Sequence, residues 1–175
     1  MLAFLALLSG CTTIAPHSDE KLWSGRFSVR VRYHGKTEVA SGGWRLRQSA
    51  DSQQLEILSP LKGILGRVRV TSSQALLERP NKPDVIASNA QSLMTQAFGF
   101  FLPINMLASW LEGLPLDTYE AERVSNDRFE QAGWIITVRA RNEEGAPSNI
   151  IFERLESPVD AGITMVVTIT RNQRQ

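Results

Sequence analysis

From Arg26 to Tyr33 the chain alternates residue by residue. Phe27, Val29, Val31 and Tyr33 fall on one side of an extended strand, and Arg26, Ser28, Arg30 and Arg32 on the other. A period of two is that of a β-strand with one dry face. Its recurrence along the chain restricts the fold to antiparallel sheet that faces water on one side. His34-Gly35 reads as a turn, and a second strand follows from Thr37 to Arg47. Further strands are expected at Leu55–Leu58, Val68–Thr71 and Ala75–Glu78. Later, Trp134, Ile136, Val138 and Ala140 share a face, and Asn142–Gly145 makes the next turn. Ile150, Phe152 and Arg154 alternate with Ile151, Glu153 and Leu155, and the last strand points Ile163, Met165, Val167 and Ile169 inward. About eleven short strands are too many for a flat open sheet of this size, so a mainly β fold curled into a barrel is expected.

The period changes once. Ser88-Asn89-Ala90-Gln91 has the spelling of a capping box, with a hydroxyl at the cap and an amide three residues later. Ala90, Leu93, Met94, Ala97 and Phe98 then recur at helical spacing until Gly99. A second helix is expected from Pro103, carrying Ile104, Leu107, Ala108 and Leu111 on one side and stopping at Gly113.

The N-terminus carries a different message. The seven-residue apolar run Leu2 to Leu8 is followed by Ser9-Gly10 and by Cys11, the single cysteine of the chain. Small residues before an obligatory cysteine are the pattern of a bacterial lipoprotein signal, because only a thiol takes the diacylglyceryl thioether. No Lys or Arg precedes the run, so its basic segment is either truncated or upstream. The expected division is signal peptide 1–10, acylated N-terminus and tether 11–18, and one domain 19–175. Asp19 to Leu22 either begins a small helix or leads into the first strand. The run is far shorter than the ~20 apolar residues needed to span a bilayer, so Cys11 is expected to hold the chain to a membrane by acyl chains. With no second cysteine, no disulfide can form within the chain.

Composition excludes some functions. The formal net charge is +1, which argues against a nucleic-acid partner. His17 falls in the tether and His34 in a turn, with no further His or Cys at ligand spacing, so neither a zinc site nor another cofactor is expected. Gly35-Lys36 lacks the rest of a phosphate loop. Glu143-Glu144 reads as a solvated turn, and Asp51, Asp84, Asp117 and Asp127 fall at loops or element ends. An enzyme is not expected.

The apolar features allow two readings each. Ser59-Pro60-Leu61-Lys62-Gly63-Ile64-Leu65-Gly66 is punctuated as a loop, yet Leu61, Ile64 and Leu65 are large and apolar. They are either folded under the sheet or left exposed to meet lipid or a partner. The helical stretch with Leu93, Met94, Phe98, Phe100, Phe101, Met106, Leu107 and Trp110 is either the core of a lid or the lining of an acyl-chain cavity, a use that would suit the adaptable thioethers. Trp44, Trp110 and Trp134 belong to the core in either case. The arginines of the first strands form a solvated face or meet phospholipid head groups.

Taken in order, these residues resemble the outer-membrane lipoprotein receptor family LolB. Trp23-Ser24-Gly25-Arg26-Phe27-Ser28-Val29 resembles its opening strand, Gly43-Trp44 its aromatic second strand, and Ser59-Pro60-Leu61 its Pro-Leu loop. FFLPINMLASWLEGLP, Phe100 to Pro115, resembles its LP…L..W..G.P signature, and Gly133-Trp134, Pro147 and Ile150 fit its later strands. Two departures stand out. Lys62 precedes Gly63 where the family usually reads Pro-Leu-Gly, and the closing strand lacks a tryptophan. The resemblance implies a half-open antiparallel barrel with a helical lid over an apolar cavity. It also implies a monomeric, lipid-anchored protein of the outer membrane that faces the periplasm. Its partners would be the periplasmic carrier LolA, acylated lipoproteins as cargo, and outer-membrane phospholipid. Leu61 would then be the exposed loop leucine of the release step, extended by Ile64 and Leu65. The competing expectation is an assembly lipoprotein with a solid barrel.

Overall fold

The computed structural model describes residues 20–98, 101–157 and 161–174. The expected signal and tether, with Cys11 and His17, lie outside the described residues, as do Phe100 and the side chain of Phe98. Among the described residues eleven strands form a single antiparallel sheet: β1 (Lys21–Tyr33), β2 (Lys36–Gln48), β3 (Ser52–Leu58), β4 (Ile64–Thr71), β5 (Ala75–Arg79), β6 (Lys82–Ala87), β7 (Ala121–Ser125), β8 (Arg128–Gln131), β9 (Trp134–Arg141), β10 (Pro147–Arg154) and β11 (Gly162–Arg174). Their spatial order is β6-β5-β4-β3-β2-β1-β11-β10-β9-β8-β7. The first and last strands therefore pair at the centre of the sheet, and β6 and β7 are its two edges. The sheet curls but does not close. Helix α1 (Ala90–Phe98), a 3-10 turn (Ile104–Met106) and helix α2 (Leu107–Leu111) lie in the chain between the two edge strands.

Register turns the sequence alternation into a core. Trp23, Leu46, Leu55, Val68, Leu77 and Val85 stand opposite one another across six strands. On the other half, Val29, Met165, Phe152, Ile136 and Phe129 do the same. All point inward, and a slip of one residue would turn every member of a row to water. Gly25 stands opposite Trp44, where the indole Nε1 donates to the Arg26 carbonyl at 3.2 Å. A Cβ at Gly25 would lie 1.7 Å from the Thr168 carbonyl oxygen, so only glycine fits this close approach of strands. Every strand and core residue described lies within residues 20–174, so a chain that begins at residue 12 keeps all of them.

Several elements differ from the sequence expectation. The helix cap is Asn89, whose Oδ1 accepts the Ser92 N–H at 2.9 Å, not the Ser88 hydroxyl. The helix starts at Ala90, which moves the cap position one residue along. The second helix is not continuous from Pro103 but splits into the 3-10 turn and α2. It ends in a Schellman arrangement, Leu114 N–H to Ser109 O at 3.1 Å and Gly113 N–H to Trp110 O at 3.0 Å, with Gly113 at φ +75°. Ile64 and Leu65 belong to the start of β4, not to the loop before it. Tyr33 and Ala140, expected on the dry faces, are exposed near strand ends. Strands β6, β7 and β8 had no alternation to announce them.

Candidate functional site

Three surfaces combine in this fold. The first is the hairpin tip between β3 and β4. Pro60 presets the turn, Lys62 N–H donates to Ser59 O at 2.8 Å, and Ser59 N–H donates to Gly63 O at 2.8 Å. The Ser59 hydroxyl accepts the Gly63 N–H at 3.1 Å. This closed loop holds Leu61 outward with 94% of its surface in solvent, while Ile64 and Leu65 beside it are exposed at 39% and 55%. Of the two readings open for these residues, the structure realises exposure.

The second is the concave face and its lid. Leu93, Met94, Met106, Leu107 and Trp110 are buried among the core side chains, and Phe101 is half-buried. Trp110 stacks on Phe152 with ring centres 5.8 Å apart and tilts against Trp134 at 6.4 Å. Helix α1 packs on β5 and β6, and the 3-10 turn on β3. The lid is also tied by polar groups. Gln131, 2% exposed, accepts the Trp110 indole N–H and the Leu116 N–H, each at 2.9 Å, on Oε1. Its Nε2 donates to Leu116 O at 2.9 Å and Tyr119 O at 3.0 Å. Lys21 of β1 reaches Glu112, just past α2, at 3.0 Å. Further along the inner face, Phe27, Val29, Val31 and Met165 pack against this core but are only half-buried. The apolar interior thus continues into a strip that is partly open to solvent.

The third is the outer face of β1 to β5. Glu56, only 5% exposed, sits mid-strand with Arg67 bound to Oε1 through Nε at 3.0 Å and Nη2 at 2.9 Å. Arg45 Nη1 lies 3.3 Å from Oε2 as an ion-pair neighbour, and Glu78 lies 3.7 Å from Arg67 and 3.6 Å from Arg69. Opposite charges thus alternate across β2, β3, β4 and β5 in one cross-strand row. Above it, a cleft of about 450 Å³ opens between the outer face of β1 and β2 and the tip loop, with Arg26, Arg45, Arg47 and Lys62 on its walls. Sequence reasoning missed the charged row and the Gln131 clamp. The row's signal was the recurrence of a charged residue every eleven positions at 45, 56, 67 and 78. Among the described residues no group of three His, Cys, Asp or Glu side chains is placed to hold a metal ion.

Residues 22–168 match the family described as Outer membrane lipoprotein LolB. The chain belongs to the LolB family. It is similar to the Outer-membrane lipoprotein LolB of Cupriavidus metallidurans, at 32% identity over 81% of this chain and 75% of that one. Against the Outer-membrane lipoprotein LolB of Ralstonia nicotianae the identity is 32% over 86% and 81%. Against that of Cupriavidus pinatubonensis it is 29% over 92% and 88%. A solved LolA superfamily protein from Nitrosomonas europaea shares 14% identity at a TM-score of 0.46, over 92% of this chain and 88% of that one. LolB is a lipoprotein receptor and transport family and not an enzyme family. No helix among the described residues is long and apolar enough to cross a membrane.

Proposed function

We propose that this chain receives acylated lipoproteins from the periplasmic carrier LolA and inserts them into the outer membrane, without nucleotide. It acts as a monomer anchored through Cys11 and facing the periplasm. The observation that carries this reading is the half-buried apolar strip of Phe27, Val29, Val31 and Met165 on the inner face, packed against a core to which the lid contributes Leu93, Met94, Met106, Leu107 and Trp110. Acyl chains enter along the strip and displace Met94 and Met106, whose flexible thioethers repack around a guest. Leu61, at the tip, meets the bilayer at the release step, with Ile64 and Leu65 behind it.

The energetics favour a passive relay. Each exposed CH₂ of an acyl chain costs ~0.8 kcal/mol in water, so the cargo must pass from one apolar site directly to another. A tenfold advantage over the donor needs only about 1.4 kcal/mol, and the bilayer is the deeper sink beyond. The dense packing under the lid favours a second reading, an assembly lipoprotein with a solid barrel. Handover separates the two. With purified LolA carrying a labelled lipoprotein and this chain from residue 12 onward, the receptor reading expects label to move to the acceptor with no nucleotide present. Label that stays on an active carrier, with a folded acceptor, would favour the solid barrel.

A further inference from the structure

We propose that the outer cleft beside the tip loop is a binding site for the phosphate of an anionic phospholipid in the target bilayer, seated when Leu61 enters it. The inference rests on the membrane role given to Leu61 above and adds the lipid chemistry that this surface selects. The cleft is not the concave acyl-chain strip. It lies on the opposite face of the sheet, where Gly43, without a side chain, stands between Arg26 and Leu58 in register. Its volume of about 450 Å³ falls within the roughly 300–1,000 Å³ of small-ligand sites.

Charge and chemistry agree. A chain of net charge +1 places Arg26, Arg45, Arg47 and Lys62 around one cleft. Arg47 has Glu20 at 3.4 Å, and Arg45 shares Glu56 with the closer Arg67. Arg26 and Lys62 form no salt bridge among the described residues, which leaves two cations for an incoming anion. The hydroxyl-bearing residues Ser24, Ser59 and Thr170 stand in the same lining, and Leu22, Leu58 and Pro60 supply apolar wall for the glycerol end of a lipid.

Lys62 belongs to the tip turn itself, where its N–H donates to Ser59 O at 2.8 Å, and it also lines the cleft. Depth fits as well. An apolar element at a membrane surface settles about 5–10 Å into the boundary between head groups and acyl chains. Pro60 and Lys62, the neighbours of Leu61, both line the cleft, so inserting the leucine brings the cleft to the level of the phosphates. The long Lys62 stem can then lie along the apolar boundary with its ammonium at the head groups.

The test uses the chain from residue 12 onward, which lacks the acyl anchor and contains every described strand. Its binding is measured by co-sedimentation with vesicles of phosphatidylcholine and with vesicles of phosphatidylcholine mixed with phosphatidylglycerol. The expected result is binding to the mixed vesicles tighter by roughly tenfold, given the attraction of each surface cation to an anionic leaflet. Arg26→Gln combined with Lys62→Gln removes that preference, while Leu61→Glu weakens binding to both vesicle types. In the unmodified protein the preference shrinks as salt shortens the screening length, which keeps the test independent of the variants' folding. Equal binding to both vesicles, or a preference that survives in the double variant at unchanged thermal stability, would overturn the proposal. Handover from LolA in solution needs no vesicles, so failure there counts against the receptor reading and not against the cleft.

Discussion

Replacing Leu61 by glutamate is expected to leave melting temperature and cargo acceptance unchanged while slowing insertion of cargo into vesicles by roughly thirtyfold. The reasoning starts from burial. With 94% of its surface in water, Leu61 contributes almost nothing to the folded core, so its loss has little to destabilise. Burying a leucine side chain in an apolar medium is worth about 1.5–3 kcal/mol, and about 2 kcal/mol corresponds to that factor. Glutamate removes the gain and adds a charge that resists leaving water. The turn does not depend on the leucine side chain, because its hydrogen bonds come from the backbone and the Ser59 hydroxyl. Leu61→Phe retains an apolar tip and should insert cargo normally. A folded Leu61→Glu protein that inserts cargo at the original rate would remove the loop from the mechanism.

The largest stability effect is expected at Gln131. Its amide oxygen accepts two N–H groups and its amide nitrogen donates to two carbonyls, an arrangement that also fixes the orientation of the amide. Gln131→Leu keeps the approximate volume and breaks all four bonds. The Trp110 indole is fully buried, so its N–H is left without a partner, and the Leu116 and Tyr119 backbone groups lose theirs. Each unsatisfied buried group costs about 1–3 kcal/mol; with relaxation of the part-buried loop, a total of about 3–5 kcal/mol is expected. For a domain of this size that lowers the melting temperature by roughly 10 °C. Trp110 should also lose its fixed position against Phe152 and Trp134, which near-UV circular dichroism would register as a weaker aromatic signal. A melting temperature within about 2 °C of the original would mean that apolar packing alone holds the lid.

What could be read from the sequence follows where each residue's environment is local. The strands at the centre of the sheet alternate because one face is dry, and Phe27, Val29 and Val31 announce β1 without any knowledge of its partners. The edge strands have no such contrast. All five residues of β7 are exposed, and β6 begins with Lys82-Pro83-Asp84, the charges and proline that keep a free edge from pairing with other chains. Their presence depends on neighbours far along the chain. Gln131 looks like any polar strand residue until the 114–119 segment folds over it. Leu61 was ambiguous for a related reason, since an apolar loop residue is equally compatible with a buried or an exposed tip. Only the closed turn around Ser59 and Gly63 decides between them. The apolar residues of the lid could be recognised by helical spacing, but whether they fill space or yield it to an acyl chain depends on the occupant.

That occupant is the central claim, and site-specific photocrosslinking tests it most directly. A photoreactive phenylalanine analogue replaces Val29 on the inner strip in one protein and Arg30, its outward-facing neighbour, in another. Each is mixed with LolA carrying a lipoprotein labelled in its acyl chains, and then illuminated. The receptor account predicts a labelled adduct from position 29 and none from position 30. Adducts of equal yield from both positions, or none from position 29 while label still leaves the carrier, would contradict it.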